Sequence, residues 1–168
     1  MFEFKPNADL LEAVVNSEIY KNWETSILSN FNTRKITVHN VFMFGSRVGF
    51  IIVEAEAYRM DTGTKVPGIA FLRGDCVSIM PVIKCNGKIY TAVVSEARTP
   101  IGASNYMALP AGMVDGMAGG CAAIKELKEE IGPEFDVTDS DLVYMGRYSV
   151  SGGGSDEQVD YGFGKISK

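Results

Sequence analysis

Three glutamates in one short stretch carry the first sign of chemistry in this chain. Glu126, Glu129 and Glu130 fall within KELKEEIG, residues 125–132. If that stretch is helical, offsets of three and four residues put the three carboxylates on one face. Like charges at that spacing repel, so an isolated helix gains nothing from them. A divalent cation reverses the sign, because magnesium takes carboxylate oxygens and keeps waters or substrate phosphates as its other ligands. The plain alternative is a solvated acidic face with no ligand. Immediately upstream, LPAGMVDGMAGG reads as a short apolar strand entering a glycine-rich loop. Ala111 and Gly112 have small or absent side chains, so backbone there can come close to an ion or a phosphate. The N-terminus of the following helix adds partial positive charge.

The elements that must position this stretch can be read from period and punctuation. Asn7 caps a helix from Ala8, and Ser17 caps a second segment. Leu10, Leu11, Val14 and Val15 give the first an apolar face; Ile19, Tyr20, Trp23, Ile27 and Leu28 give one to the second. From Lys35 to Arg59 the residues are β-branched and aromatic, with a turn at Gly45. There Val53, Ala55 and Ala57 alternate with Glu54 and Glu56, which leaves one face wet. Lys65 to Leu72 returns as a partner strand, with Pro67 marking an edge or an irregularity. Strands at Val77–Ile83 and Ile89–Ser95 flank Cys85-Asn86-Gly87, a strong hairpin signal. Pro81 inside the first of them suggests a bulge. Tyr106–Leu109 enters the glycine loop, and strands at Leu142–Val150 and Gln158–Ile166 follow the glutamate helix, separated by SGGGSDE. Strands around a central helix indicate an α+β or α/β sandwich.

At 168 residues and 46% apolar content the chain suits one domain with a small appendage. No apolar run is long enough to span a bilayer, and the start lacks the basic-then-apolar pattern of a secretory signal. A net charge of −5 does not favour nucleic acid. Cys76, Cys85 and Cys121 do not make an even disulfide framework and fit reduced thiols in the cytoplasm. His39 is the only histidine and reads as a strand residue, which removes most zinc sites and any Ser-His triad.

The strand, glycine loop and acidic helix together resemble a Nudix box: a glycine, five residues, Glu, seven residues, then Arg-Glu-apolar-x-Glu-Glu-x-Gly. Lys125 to Gly132 fills the second half, with Lys125 in the place of Arg. The first half departs: from Gly112 to Lys125 the chain is one residue shorter than the pattern, and Met117 and Ala118 stand near the missing Glu. Beyond the box, FGSRVGF, DTGTKVPGIAFLRG, SEARTPIG, LPAGMVD and SGGGSDE occur in the order of the ADP-sugar diphosphatases of the Nudix superfamily, most like the plant branch.

That resemblance implies a Nudix α/β/α sandwich with an N-terminal helical and antiparallel β-layer. The layer occupies residues 1–73 and dimerises, and the catalytic domain occupies residues 74–168 with a short C-terminal part. It implies a homodimer that uses magnesium, or manganese in its place, to hydrolyse the pyrophosphate of a nucleoside diphosphate sugar such as ADP-ribose or ADP-glucose. By position Glu126, Glu129 and Glu130 match the metal-binding glutamates, and Ala111 a residue whose carbonyl ligates metal. Arg73 and Arg98 match arginines that hold substrate, beside Gly112. Glu157 matches the glutamate of the family's SPGG-type loop, in which Gly152 here replaces the usual proline or its neighbour. Lys125 is expected to pair with a glutamate and orient it. Either Glu157 or a helix glutamate could activate the water.

Two functions from different classes fit. One is a magnesium-dependent nucleoside diphosphate sugar hydrolase, favoured by the intact glutamates. The other is a degenerate Nudix module that binds nucleotide or a partner protein without turnover. Lys125, the shortened loop and the early C-terminus favour this second function. Hydrolysis of a damaged nucleoside triphosphate has less behind it, since the β-layer and SGGGSDE resemble the sugar branch.

Overall fold

The computed structural model describes residues 1–133 and 137–167. Two compact units divide the chain: Met1–Gly74 with Ser149–Glu157, and Asp75–Tyr148 with Gln158–Lys168.

The first unit begins with β1 (Phe2–Phe4), a 3-10 turn at Ala8–Leu10, α1 (Leu11–Asn16) and α2 (Glu18–Asn30). Asn7 and Ser17 cap as their positions predict: the Asn7 side chain accepts from the Asp9 N–H and Ser17 Oγ from the Tyr20 N–H. The long pair β2 (Phe31–Phe44) and β3 (Arg47–Arg59) follows, then β4 (Lys65–Val66) and β5 (Ile69–Leu72), both antiparallel to β3. The return strand is thus broken in two at Pro67 and Gly68. Gly68 keeps contact by accepting the Ala55 N–H through its carbonyl. Val14, Tyr20, Val38, Ile51, Val53 and Leu72 form the core, with Ile19, Trp23 and Ile27 packed on it. Leu28, expected on that face, is half exposed. The sequence pattern gave no sign of β1, which pairs parallel to β2 through only three residues.

The second unit contains β6 (Cys76–Cys85), β7 (Lys88–Tyr90), β8 (Val94–Arg98), β9 (Ala103–Ala108), β10 (Ala111–Met113), α3 (Gly119–Ile131), β11 (Leu142–Ser149) and β12 (Gln158–Ser167). Its main sheet runs β10-β6-β12-β11, with β7 also on β6, while β8 and β9 pair separately. Asn86 and Gly87 both take positive φ, as a two-residue hairpin turn requires. Ile89–Ser95, however, is not one strand. It stops at Tyr90, where every residue of β7 is exposed and nothing rewards further pairing, and resumes at Val94 against β9. Ala122, Ala123 and Leu127 of α3 bury against Val77, Ile79 and Ile166. That burial fixes which helix face is left for the glutamates.

Pro81 makes no bulge. The parallel register of β6 with β12 runs unbroken from Cys76↔Val159 to Lys84↔Ser167. The Ile79 N–H points to the other edge of β6, where it meets the Pro110 carbonyl. Two residues on, the ring nitrogen of Pro81 points the same way, between the stretch paired with β10 and the stretch paired with β7. The missing donor costs no ladder bond there.

Arg147 ties the sheet together. Its Nε and Nη2 donate to the two Asp160 oxygens at 2.8 and 2.6 Å, and its Nη1 lies 3.2 Å from Asp75. The guanidinium holds the Asp160 carboxyl below its ordinary pKa, against the opposing effect of burial. A carboxyl depressed in the folded state contributes stability above its unfolded pKa and loses it as pH falls through the folded one. We expect Asp160→Asn to lower stability by about 1–3 kcal/mol at neutral pH. Its melting temperature should change less than that of the wild type on acidification below about pH 4. Melting curves across that range check both, and parallel acid profiles would remove the role.

Candidate active site

The glutamates are positioned by how α3 meets β10. Glu126 is buried, at 8% exposure. A Cβ built on Gly112 of β10 would overlap its carboxylate, so the strand can pass this close only because residue 112 has no side chain. One helical turn later, Glu130 Oε2 accepts the Ala111 N–H at 3.2 Å. Two consecutive residues of β10 therefore face two carboxylates of α3. Glu129 is exposed and does not share that contact. The single face expected for all three holds only loosely: two carboxylates reach the strand and one reaches solvent.

Lys125 takes up the third. Its Nζ lies 3.3 Å from Glu126 Oε1 and 3.3 Å from Glu129 Oε2. Those two pairs, Glu129 first, hold the ammonium above its ordinary pKa. The expected lysine–glutamate pairing is present, with two partners. Burial pushes the Glu130 carboxyl up, the Ala111 N–H opposes that, Glu96 and Glu126 add to it, and Arg98 opposes it. Arg98 Nη2 is 2.7 Å from Glu96. Both members of that pair thus act on Glu130 through space. Glu96 was not among the residues expected at the site. Its signal was available two positions before Arg98, on the same side of a strand.

Arg73 and Glu157 lie in the first unit, and there they pair, with Nη1 3.4 Å from Oε1. The Arg73 guanidinium also stands 6.0 Å from the Phe50 ring centroid. The strand into LRG and the SGGGSDE loop are joined by one backbone and one side-chain contact: the Phe71 N–H donates to the Gly154 carbonyl at 2.8 Å, and the Arg73 N–H to Asp156 Oδ1 at 2.8 Å. Asp156 is therefore the residue that fastens the loop, a role the sequence did not reveal.

A cavity of about 320 Å³ in the second unit opens beside Gly119 and Gly120, between Asp139, Tyr144 and Asp160. None of the three glutamates lines it. Among the described residues no three carboxylate, imidazole or thiol groups converge closely enough to hold an ion outright. The donor set nevertheless suits a hard cation. It is all oxygen, one member is buried against a glycine that leaves it room, and an ammonium already bridges two members.

No protein-family model matches the sequence. The chain is 33% identical over 136 residues to Nudix hydrolase 14, chloroplastic, of Arabidopsis thaliana; the match covers 75% of this chain and 43% of that protein. The chain thus spans less than half the length of that relative. In structure it is similar to a crystal structure of an ADP compounds hydrolase, with a TM-score of 0.59 at 16% identity, over 81% of this chain and 67% of the other. No helix among the described residues is long and apolar enough to cross a membrane. The chain is thus similar in sequence, over three quarters of its length, to one Nudix hydrolase, and it shares a mixed α/β fold with an ADP compounds hydrolase.

Proposed function

We propose that the protein hydrolyses the pyrophosphate bond of a nucleoside diphosphate sugar, ADP-ribose or ADP-glucose being the first candidates, to AMP and a sugar phosphate. The observation that carries this is the pair of contacts between α3 and β10: Glu126 over Gly112 and Glu130 on the Ala111 N–H. They hold two carboxylates of one helix face beside the half-buried backbone of β10, an arrangement that suits a divalent ion on a diphosphate.

Glu126, Glu129, Glu130 and the Ala111 carbonyl are the proposed ligands of magnesium, or of manganese. When bound, the metal polarises a phosphoryl oxygen and lowers the pKa of a bound water. Arg73 and Arg98 present planar guanidinium forks that suit phosphate oxygens. Each is partly neutralised here, by Glu157 and Glu96 respectively, so substrate must compete with a carboxylate for it. Glu157 is the proposed proton acceptor. A homodimer working in the cytoplasm, where its free thiols stay reduced, completes the proposal.

The second reading is nucleotide binding without turnover. Lys125 favours it, because it already balances two of the three glutamates. A phosphatase-coupled phosphate-release assay with ADP-ribose, ADP-glucose and GDP-mannose, with and without magnesium, separates the two. Metal-dependent release from one of them is expected. Tight binding with no release from any would favour the second reading.

A further inference from the structure

The ammonium of Lys125 bridges two glutamates of its own helix. Adjacent residues on a helix point about 100° apart and do not face each other, yet Lys125 Nζ reaches Glu126 Oε1 at 3.3 Å. Its contact with Glu129 at the same distance runs from lysine to a glutamate four residues later, the weaker order for such a pair. What draws the ammonium in is the local field. Three carboxylates stand within five residues near the C-terminal end of α3, which itself carries partial negative charge. Glu126, the buried member, has most to gain from a counter-charge, since a buried carboxylate without one is costly.

We infer that Lys125 is a resident cation, neutralising Glu126 and Glu129 until a divalent ion displaces it. The inference rests on the proposed metal site and adds a competitor to it. Competition explains why the glutamates do not converge on a common point: two of them are turned toward the lysine and the third toward the Ala111 N–H. It also sets the scale. The Lys125 side chain is 46% exposed, so its pairs are screened by water and readily broken. The lysine relieves repulsion along the helix at small cost to metal uptake.

Calorimetric titration of the whole chain with manganese chloride alone, at fixed ionic strength, tests this in the wild type and in Lys125→Gln, Lys125→Arg and Glu129→Gln. With the competitor removed, Lys125→Gln should bind manganese about threefold more tightly, the size of one exposed ion pair. Lys125→Arg keeps the charge and should show no such gain. Far-ultraviolet circular dichroism confirms that each variant is folded, and Lys125→Met repeats the test with an apolar side chain of similar length. If the neutral variants bind manganese no better than the wild type, or worse, while Glu129→Gln still weakens binding, the competition is overturned and the metal site stands. If neither the wild type nor the neutral variants bind, the metal site itself falls and the inference falls with it.

Discussion

Glu130→Gln should reduce magnesium-dependent release of phosphate from the preferred ADP-sugar by about 100-fold or more while leaving the protein folded. The estimate follows from what removing one preorganised charge-stabilising group costs a reaction that builds negative charge. Glutamine has the shape of glutamate, and its amide oxygen can still accept the Ala111 N–H that Glu130 accepts now. The strand–helix contact is therefore kept and only the charge is lost. That charge is held at some expense, since burial and the neighbouring Glu96 and Glu126 all push the carboxyl toward its neutral form. Stability should accordingly be unchanged or slightly raised. Steady-state rates with a melting curve on the same preparation read both effects. Glu129→Gln should lose activity likewise, and full turnover in both variants would eliminate the metal assignment.

Gly112→Ala should be damaging for a steric reason. The new methyl group would overlap the Glu126 carboxylate. β10 cannot easily retreat, because Ala111, Gly112 and Met113 are in register with Ser78, Val77 and Cys76 of β6. Nor can α3, whose Ala122, Ala123 and Leu127 are buried in the core. The side chain of Glu126 must swing away, or the strand must shift. Overpacking of this kind costs about 1–3 kcal/mol. For a chain of this length that corresponds to a fall in Tm of about 5 °C. Displacing a positioned ligand by about 1 Å should reduce the rate by about 100-fold. Gly119→Ala is the matched control. There a Cβ would meet only Asp160 Oδ2, at 3.5 Å, an ordinary contact. A Gly112→Ala protein with wild-type Tm and rate would show that the closeness of strand and helix is not required.

Features governed by neighbours in sequence were legible and features governed by distant ones were not. The caps at Asn7 and Ser17, the Asn86-Gly87 turn and the glutamate helix each depend on a few adjacent residues, and each stands where the pattern puts it. The strand read at Ile89–Ser95 failed because hydrophobicity alone does not say which partner a segment will pair with, and two partners, β6 and β9, share it. The site shows the same division. Spacing identified Glu126, Glu129 and Glu130, but burial of the first and exposure of the second come from the position of β10. The pairing of Arg73 with Glu157 joins residues 84 positions apart, so no local pattern could have announced it. Glu134, Phe135 and Asp136, just after α3, lie outside the described residues.

The proline in the middle of β6 has a consequence for how one strand serves two partners in turn. Beyond Ser78, on the edge of β6 away from β12, described strand pairing resumes only at Ile83. Pro81 lies in that gap and is fully buried, so water cannot stand in for a missing strand partner. A proline carries no N–H, and the gap therefore leaves no donor to satisfy. Restoring the donor, as in Pro81→Val, should bury an unpaired N–H and lower stability by about 1–3 kcal/mol, read as a fall in Tm.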